Sequence, residues 1–402
     1  MTSGSDMKKL RNMAGSSTIF LIAALLQACF SAGPAEPVTH YPEIPAVGSI
    51  TLQTRAEDSD IYLDVGIGVF TNTYHENETE TYGDWIFTEI RDNERHYLPY
   101  LLRDTLLNSG HWGAVRVLPQ ADPSVDLMLS GTILYSDGSR LVLAIEATDS
   151  TGRRWLQKTY ADDTRAEDYP DSSRLRAASQ LEREDLKEPF QDIYNQIANA
   201  LLAALTASTP EQLQNVQRVS ELVYARDLAP DSFAQSLDTD AQGYLTVNTL
   251  PAEQDPMMNR VLEMRRRHHL FIDTVDDYYQ ALFAEMQASY LVWRRYAYDQ
   301  ENELEFTTRE SADQDLFSST NTTLTLMQRY DRYRWAKIYE QEFLELATGF
   351  NTELAPTILE LNRNVHGLSG TMEEQYLQWR RILRQLFELE TGELERLPGA
   401  AN

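Results

Sequence analysis

The chain has 402 residues, with 62 Asp or Glu against 35 Lys or Arg, and a single cysteine. A net charge of −27 argues against a nucleic-acid partner, because phosphate backbones are held by clustered cations. One cysteine excludes an intramolecular disulfide framework and any two-cysteine metal site. With 42% hydrophobic and 24% charged residues the chain has the composition of a folded protein, long enough for two or three domains.

Residues 1–28 read as a signal peptide. Lys8, Lys9 and Arg11 form a basic start, and an apolar run follows from Ile19 to Leu26. That run is shorter than the ~20 residues a bilayer-spanning helix needs, and it suits the apolar region of a secretory signal. The next residues, Leu26-Gln27-Ala28-Cys29, resemble the bacterial lipobox. The resemblance implies cleavage between Ala28 and Cys29, diacylglycerol on the Cys29 thiol and a further acyl chain on the new amino terminus. The bland alternative is an ordinary cysteine in a signal cut elsewhere. The chain's one cysteine stands where the lipobox needs it, which favours lipidation. Two or more acyl chains anchor stably where one is marginal. Phe30 and Ser31 follow the cysteine, with no Asp of the inner-membrane-retention kind, so the outer membrane is expected, on its periplasmic face rather than the surface. Translation starts at Met1 or at Met7, whose Met-Lys-Lys-Leu is the more usual signal opening. Loss of residues 1–28 removes three basic residues and one acidic residue, which takes the charge from −27 to −29.

Residues 29–55 carry Pro34, Pro37, Pro42 and Pro45 and read as an extended tether, with Val47 to Leu52 as a candidate edge strand within it. A small α/β domain is expected over 56–165. Ile61, Leu63, Val65, Ile67 and Val69 alternate as a strand with one buried face does. Pro99 suits the first turn of a helix over 99–107, with 85–97 as a separate helical turn and Ser109-Gly110 as the stop. Strands follow over 112–117, from Leu127 to Tyr135 and from Leu141 to Ile145. Asp137-Gly138 marks a hairpin whose glycine supplies a positive φ. Strand, helix and meander together indicate α+β.

The strand ending in Gly66-x-Gly68, the Pro-x-x-Leu-Arg helix, Trp112-Gly113-Ala114-Val115-Arg116-Val117, the Asp126-Leu127-Met128-Leu129-Ser130-Gly131 strand and the Ser136-Asp137-Gly138 hairpin resemble a group of envelope lipoproteins. These share a small α/β domain with the amino-terminal domain of the Tol translocation protein, and include curli-secretion lipoproteins and activators of peptidoglycan synthases. The resemblance spans about residues 56–205, with a further helix over 186–205. It implies action by contact and brings no catalytic residues.

A mainly α-helical bundle domain is expected over 175–395, joined through an acidic, exposed and protease-sensitive segment, 162–174. Ile272, Val275, Tyr279, Leu282, Met286, Tyr290, Trp293 and Ala297 make one apolar stripe. Ser318 to Asn321 read as a loop, and Trp335, Tyr339, Phe343 and Leu346 as another stripe. A last helix runs over 371–389, opened by a capping box between Thr371 and Glu374. Tyr290 to Arg295 and Tyr376 to Arg381 echo one another, which shared helix packing explains.

Signatures of chemistry are missing. Gly66-x-Gly68 lacks the third glycine and helix of a dinucleotide site, and no nucleophile elbow, phosphate loop or His-Glu-x-x-His occurs. No cofactor and no metal is expected, since His268 and His269 lie about 100° apart on a helix beside three arginines. Arg265, Arg266, Arg267, His268 and His269 form the densest basic cluster on an acidic chain. They are the candidate contact for an anion or a partner, against the alternative of a solvated helix face paired with Glu263 and Asp273. Asp276-Asp277 and Glu373-Glu374 read as surface carboxylates rather than an acid–base pair. Tyr290, Trp293, Trp335 and Trp379 read as core rather than a sugar-binding groove. The expectation is a non-enzymatic, lipid-anchored subunit that assembles, regulates or scaffolds an envelope complex through a protein partner. The alternative is an envelope enzyme or glycan-binding protein with an aromatic and carboxylate cleft in the helical domain.

Overall fold

The computed structural model describes residues 44–55, 61–73, 88–169, 187–252, 254–313, 354–361 and 364–391, with isolated positions between 334 and 345. The expected signal peptide, Ala28 and Cys29, the expected tether before residue 44, and the stripe and loop expected between Ser318 and Leu346 lie outside these residues. So do residues 170–174 of the acidic segment. From Glu43 onward the chain forms one contact unit.

Its centre is strand β1 (Val65–Gly68), buried at every position. β1 lies parallel to β3 (Val115–Leu118) on one side and to β4 (Leu127–Ser136) on the other, while β2 (Thr71–Asn72) pairs with the far end of β4. β4, β5 (Arg140–Asp149) and β6 (Arg154–Asp163) then run as an antiparallel meander, giving the order β3-β1-β4-β5-β6. Parallel neighbours need a crossover, and helix α1 (Thr88–Ser109) supplies it between β1 and β3. α2 (Gln191–Ala207) packs on α1 and β6, and α3 (Pro210–Leu228) follows behind a Thr209–Gln212 capping box. Two small hairpins, β7–β8 (Leu237–Thr239 with Leu245–Val247) and β9–β10 (Leu354–Leu361 with Asn364–Gly370), interrupt the helical region. The sequence reading anticipated neither. Among the described residues two long helices remain, α4 (Pro256–Asp313) and α5 (Met372–Thr391). The class is α+β, a sheet in the amino-terminal part and a helical carboxyl-terminal region.

α1 is one continuous helix with Pro99 inside it, where two pieces were expected. Gly138 does not take a positive φ. Its constraint is proximity: a Cβ there would collide with the backbone nitrogen of Tyr298 on α4. Regular pairing of the first strand begins only at Val65, after an extended lead through 61–64. The α5 capping box forms as read, with Thr371 N–H donating to Glu374 Oε2 at 2.9 Å.

The α4 stripe is buried as its spacing implies, apart from the half-buried Leu282, and α4 packs on β3 and α1 of the α/β part as well as on α3 and α5. Tyr290 and Phe283 lie tilted against Tyr97 of α1, with centroids 4.2 and 4.7 Å away, and Tyr279 meets Tyr100 edge-on. One apolar core therefore runs from β1 to Trp379 and Phe387 of α5. In the segment read as an exposed linker, Asp162, Thr164 and Tyr169 are buried, and Tyr169 packs against Tyr298.

Candidate functional site

The five basic residues from Arg265 to His269 sit on α4 over the loop between β3 and β4, and three of them, Arg265, His268 and His269, hold that loop. Asp122-Pro123-Ser124 turns the chain tightly, with Asp122 Oδ1 accepting the Ser124 N–H at 2.7 Å. Asp122 Oδ2 then faces His268 Nε2 at 2.9 Å, and the Tyr376 hydroxyl of α5 donates to the same oxygen. Burial alone would raise the Asp122 carboxyl, yet the bonds from His268, Ser124 and Tyr376 outweigh it and hold it well below the usual range. Arg265 donates to the Ser124 carbonyl through Nε and Nη2, and Nη2 also reaches Ser220 Oγ of α3 at 2.9 Å and Asp126 at 3.4 Å. His269 Nε2 lies 3.0 Å from the same carbonyl. Burial, with Arg116 and Arg265 nearby, pushes His269 down to about 4, so it is neutral at pH 7. Arg267 pairs with Glu263 at 3.2 Å.

Arg266 is the member on the surface, also paired with Glu263. It stands between Leu262 and Leu270, one helical turn away on each side, which are 37% and 64% exposed. These three residues, with Arg265, His269, Asp64 and Asp273, line an open depression of about 390 Å³. Its acidic side is fixed: Arg116 bonds Asp273 at 2.6 Å, and Asp64 accepts the Ala114 N–H at 2.9 Å. The depression thus joins two apolar side chains, one exposed guanidinium and two carboxylates, a set suited to holding another protein's side chains.

A second basic patch, missed in the sequence, lies on α5. Leu377, Arg380, Arg381 and Arg384 line a depression of about 330 Å³, which adjoins one of about 400 Å³ bounded by Ser369, Gly370, Glu374 and Gln378. Arg380 and Arg384 both grip Asp227 of α3, at 3.1 and 3.2 Å, so this patch also ties elements together. The spacing of Leu377, Arg381 and Arg384 at three and four residues was the available signal.

Of the paired carboxylates, Asp276, Glu373 and Glu374 have structural partners. Asp276 is buried against Arg103 at 2.5 Å and accepts the Val117 N–H at 3.1 Å. Its neighbour Asp277 points outward. Glu373 meets His96 at 3.3 Å. Tyr290, Trp293 and Trp379 are at most 2% exposed and line no groove, while Trp335 lies outside the described residues. Among the described residues no helix is long and apolar enough to cross a membrane, and no cluster of three metal-ligating side chains occurs.

No protein-family model matches the chain, and no curated protein matches it significantly. Among solved structures it is similar to PelC from Paraburkholderia phytofirmans, solved as a dodecamer, at 15% identity and a TM-score of 0.22, over 38% of this chain and 98% of that one. It is similar also to protein XCC0632 from Xanthomonas campestris, a DUF330 chain, at 10% identity and a TM-score of 0.23, over 41% of this chain and 96% of that one. Scores this low bear on neither fold nor function.

Proposed function

We propose that this chain is a lipoprotein anchored in the bacterial outer membrane through Cys29, facing the periplasm, and that it works as a non-catalytic assembly, regulatory or scaffold subunit of an envelope complex. The observation that carries the reading is the lipobox Leu26-Gln27-Ala28-Cys29, which holds the chain's single cysteine behind a short apolar run. The α4 depression supports a role in contact. Leu262 and Leu270 expose apolar surface around Arg266, while the rest of the cluster is spent on the fold. The large negative charge favours steering of a partner with a basic surface.

The test has two arms. Cys29→Ser removes the thiol that would take diacylglycerol, so lipid labelling and outer-membrane sedimentation are lost together. Sedimentation that survives both this change and a salt wash rules out the lipid anchor. In crosslinked envelopes the parent protein captures one dominant protein partner, and Leu270→Asp weakens that capture with the fold intact. An undiminished yield removes α4 from the contact.

A further inference from the structure

Residues 44–55, read from sequence as part of a tether with a candidate edge strand over Val47 to Leu52, lie along the folded body as a strap. Ala46 bridges Ala161 as a parallel partner, and Val47 N–H donates to the Ala161 carbonyl at 2.8 Å, pairing the outer edge of β6 there. Farther on, α2 presents Asp192, Asn195 and Asn199 at three- and four-residue spacing, on one face. Asp192 Oδ1 accepts the Ile50 N–H at 2.7 Å, and Asn195 Nδ2 donates to the Ile50 carbonyl at 2.8 Å. Asn199 donates to the Thr51 carbonyl and accepts the Gln53 N–H, both at 2.9 Å. The Arg140 guanidinium donates to the Ile44 carbonyl at one end, and Arg55 N–H donates to the Ser109 carbonyl at 2.9 Å at the other. These bonds take the strap's main chain. No strap residue is buried, and Val47 and Leu52 are its side chains packed on the core. A segment held by polar bonds with little buried apolar surface belongs to the low end of local stability, and opens without unfolding the body.

We infer that α2 is a latch for residues 44–55, and that the latch sets how far the folded body can reach from the membrane. The inference rests on the lipid-anchor reading above. Cys29 and Ile44 are 15 residue steps apart, at most about 50 Å at ~3.5 Å per step. With the strap released as far as Arg55, the leash becomes 26 steps, at most about 90 Å. These seven polar bonds thus decide between a short and a long leash, with anchor and body unchanged.

Amide exchange on the soluble Cys29→Ser protein tests the latch apart from the anchor. The Ile50 and Gln53 amides are protected in that protein. In Asn195→Ala/Asn199→Ala they exchange about tenfold faster or more, since their segment loses both amide side chains, while the β4 and β5 amides stay protected. Ile50→Pro, which removes the donated N–H from the strap and leaves α2 intact, releases the same segment. Free exchange at Ile50 and Gln53 before any substitution overturns the latch. Reach is read on the lipidated protein carrying Gln242→Cys, on the exposed β7–β8 turn, labelled with a donor dye on vesicles that contain an acceptor lipid. The latch variants lower the energy transfer. Unchanged transfer from vesicle-bound protein overturns the inference about reach alone, whereas a parent protein that does not bind vesicles overturns the lipid anchor and this inference with it.

Discussion

Phe70 and Arg95 are joined twice: the Phe70 N–H donates to the Arg95 carbonyl at 3.0 Å, and Arg95 Nε donates to the Phe70 carbonyl at 3.0 Å. The first bond explains how Pro99 sits inside α1. A proline has no N–H for the carbonyl four residues before it, and that carbonyl is Arg95's. The chain leaving β1 uses it instead, so the gap in the helix ladder becomes the joint between α1 and the sheet. Pro99→Ala is therefore expected to gain well under the ~3 kcal/mol that removing a helix-interior proline otherwise brings. The new N–H competes for the same acceptor, and the Phe70 amide exchanges faster. Urea unfolding with amide exchange measures both, and a full gain with Phe70 still protected contradicts this account.

Arg294 is 1% exposed on α4 and is held by Glu94 of α1 at 2.9 Å, Tyr290 Oη at 2.7 Å, Ser136 Oγ at 2.8 Å and the Asp137 carbonyl. It also lies over the Phe190 ring. Truncation leaves the Glu94 carboxylate buried without its cation, at a cost of about 3–5 kcal/mol. Arg294→Ala should accordingly unfold at much lower urea, and Arg294→Met with Glu94→Leu should recover part of the loss. A double variant no better than the single one argues that the bonds to the hairpin, rather than the ion pair, dominate.

Two glycines should respond differently to alanine. At Gly138 the added Cβ meets the α4 backbone, so hairpin and helix must part, costing ~1–3 kcal/mol or more. At Gly152 space is open and only the φ of +86° is unfavourable, which costs about 1 kcal/mol. Thermal melts of Gly138→Ala and Gly152→Ala check the ranking.

Burial raises the Asp162 carboxyl to about 7, with Asp192, Asp163 and Asp168 adding to the shift. Burial raises Glu188 to about 7 as well, partly offset by Arg294. Both hold a proton in the folded state that they release on unfolding. Their contribution is fully present below about pH 4 and is lost as pH rises through 7. Asp162→Asn and Glu188→Gln should match the parent near pH 4 and exceed it at pH 8, as read from urea midpoints. His269 runs the other way: its contribution is present above about pH 6.5 and lost as pH falls through 4.

What the sequence determined by itself was local. Alternation placed the strands, three- and four-residue spacing placed the α4 stripe, and Thr371 with Glu374 announced the start of α5. Those signals need only a chain's own period and its nearest neighbours. The resemblance of Leu26 to Cys29 to a lipobox is likewise read from a linear string. Tertiary structure alone decided what each polar group does, because that depends on partners far along the chain. Pro99 looked like a helix start until Phe70 supplied the missing donor. Gly138 looked like a turn glycine until α4 came within contact of it. Arg265 and His268 looked like a basic surface until the Asp122–Asp126 loop, about 140 residues away, accepted their hydrogen bonds. Residues 44–55 read as tether with a candidate edge strand over Val47 to Leu52, of which Val47 does pair with β6. The donors and acceptors that hold them stand on α2, at Asp192, Asn195 and Asn199, and no local pattern in the strap records their presence.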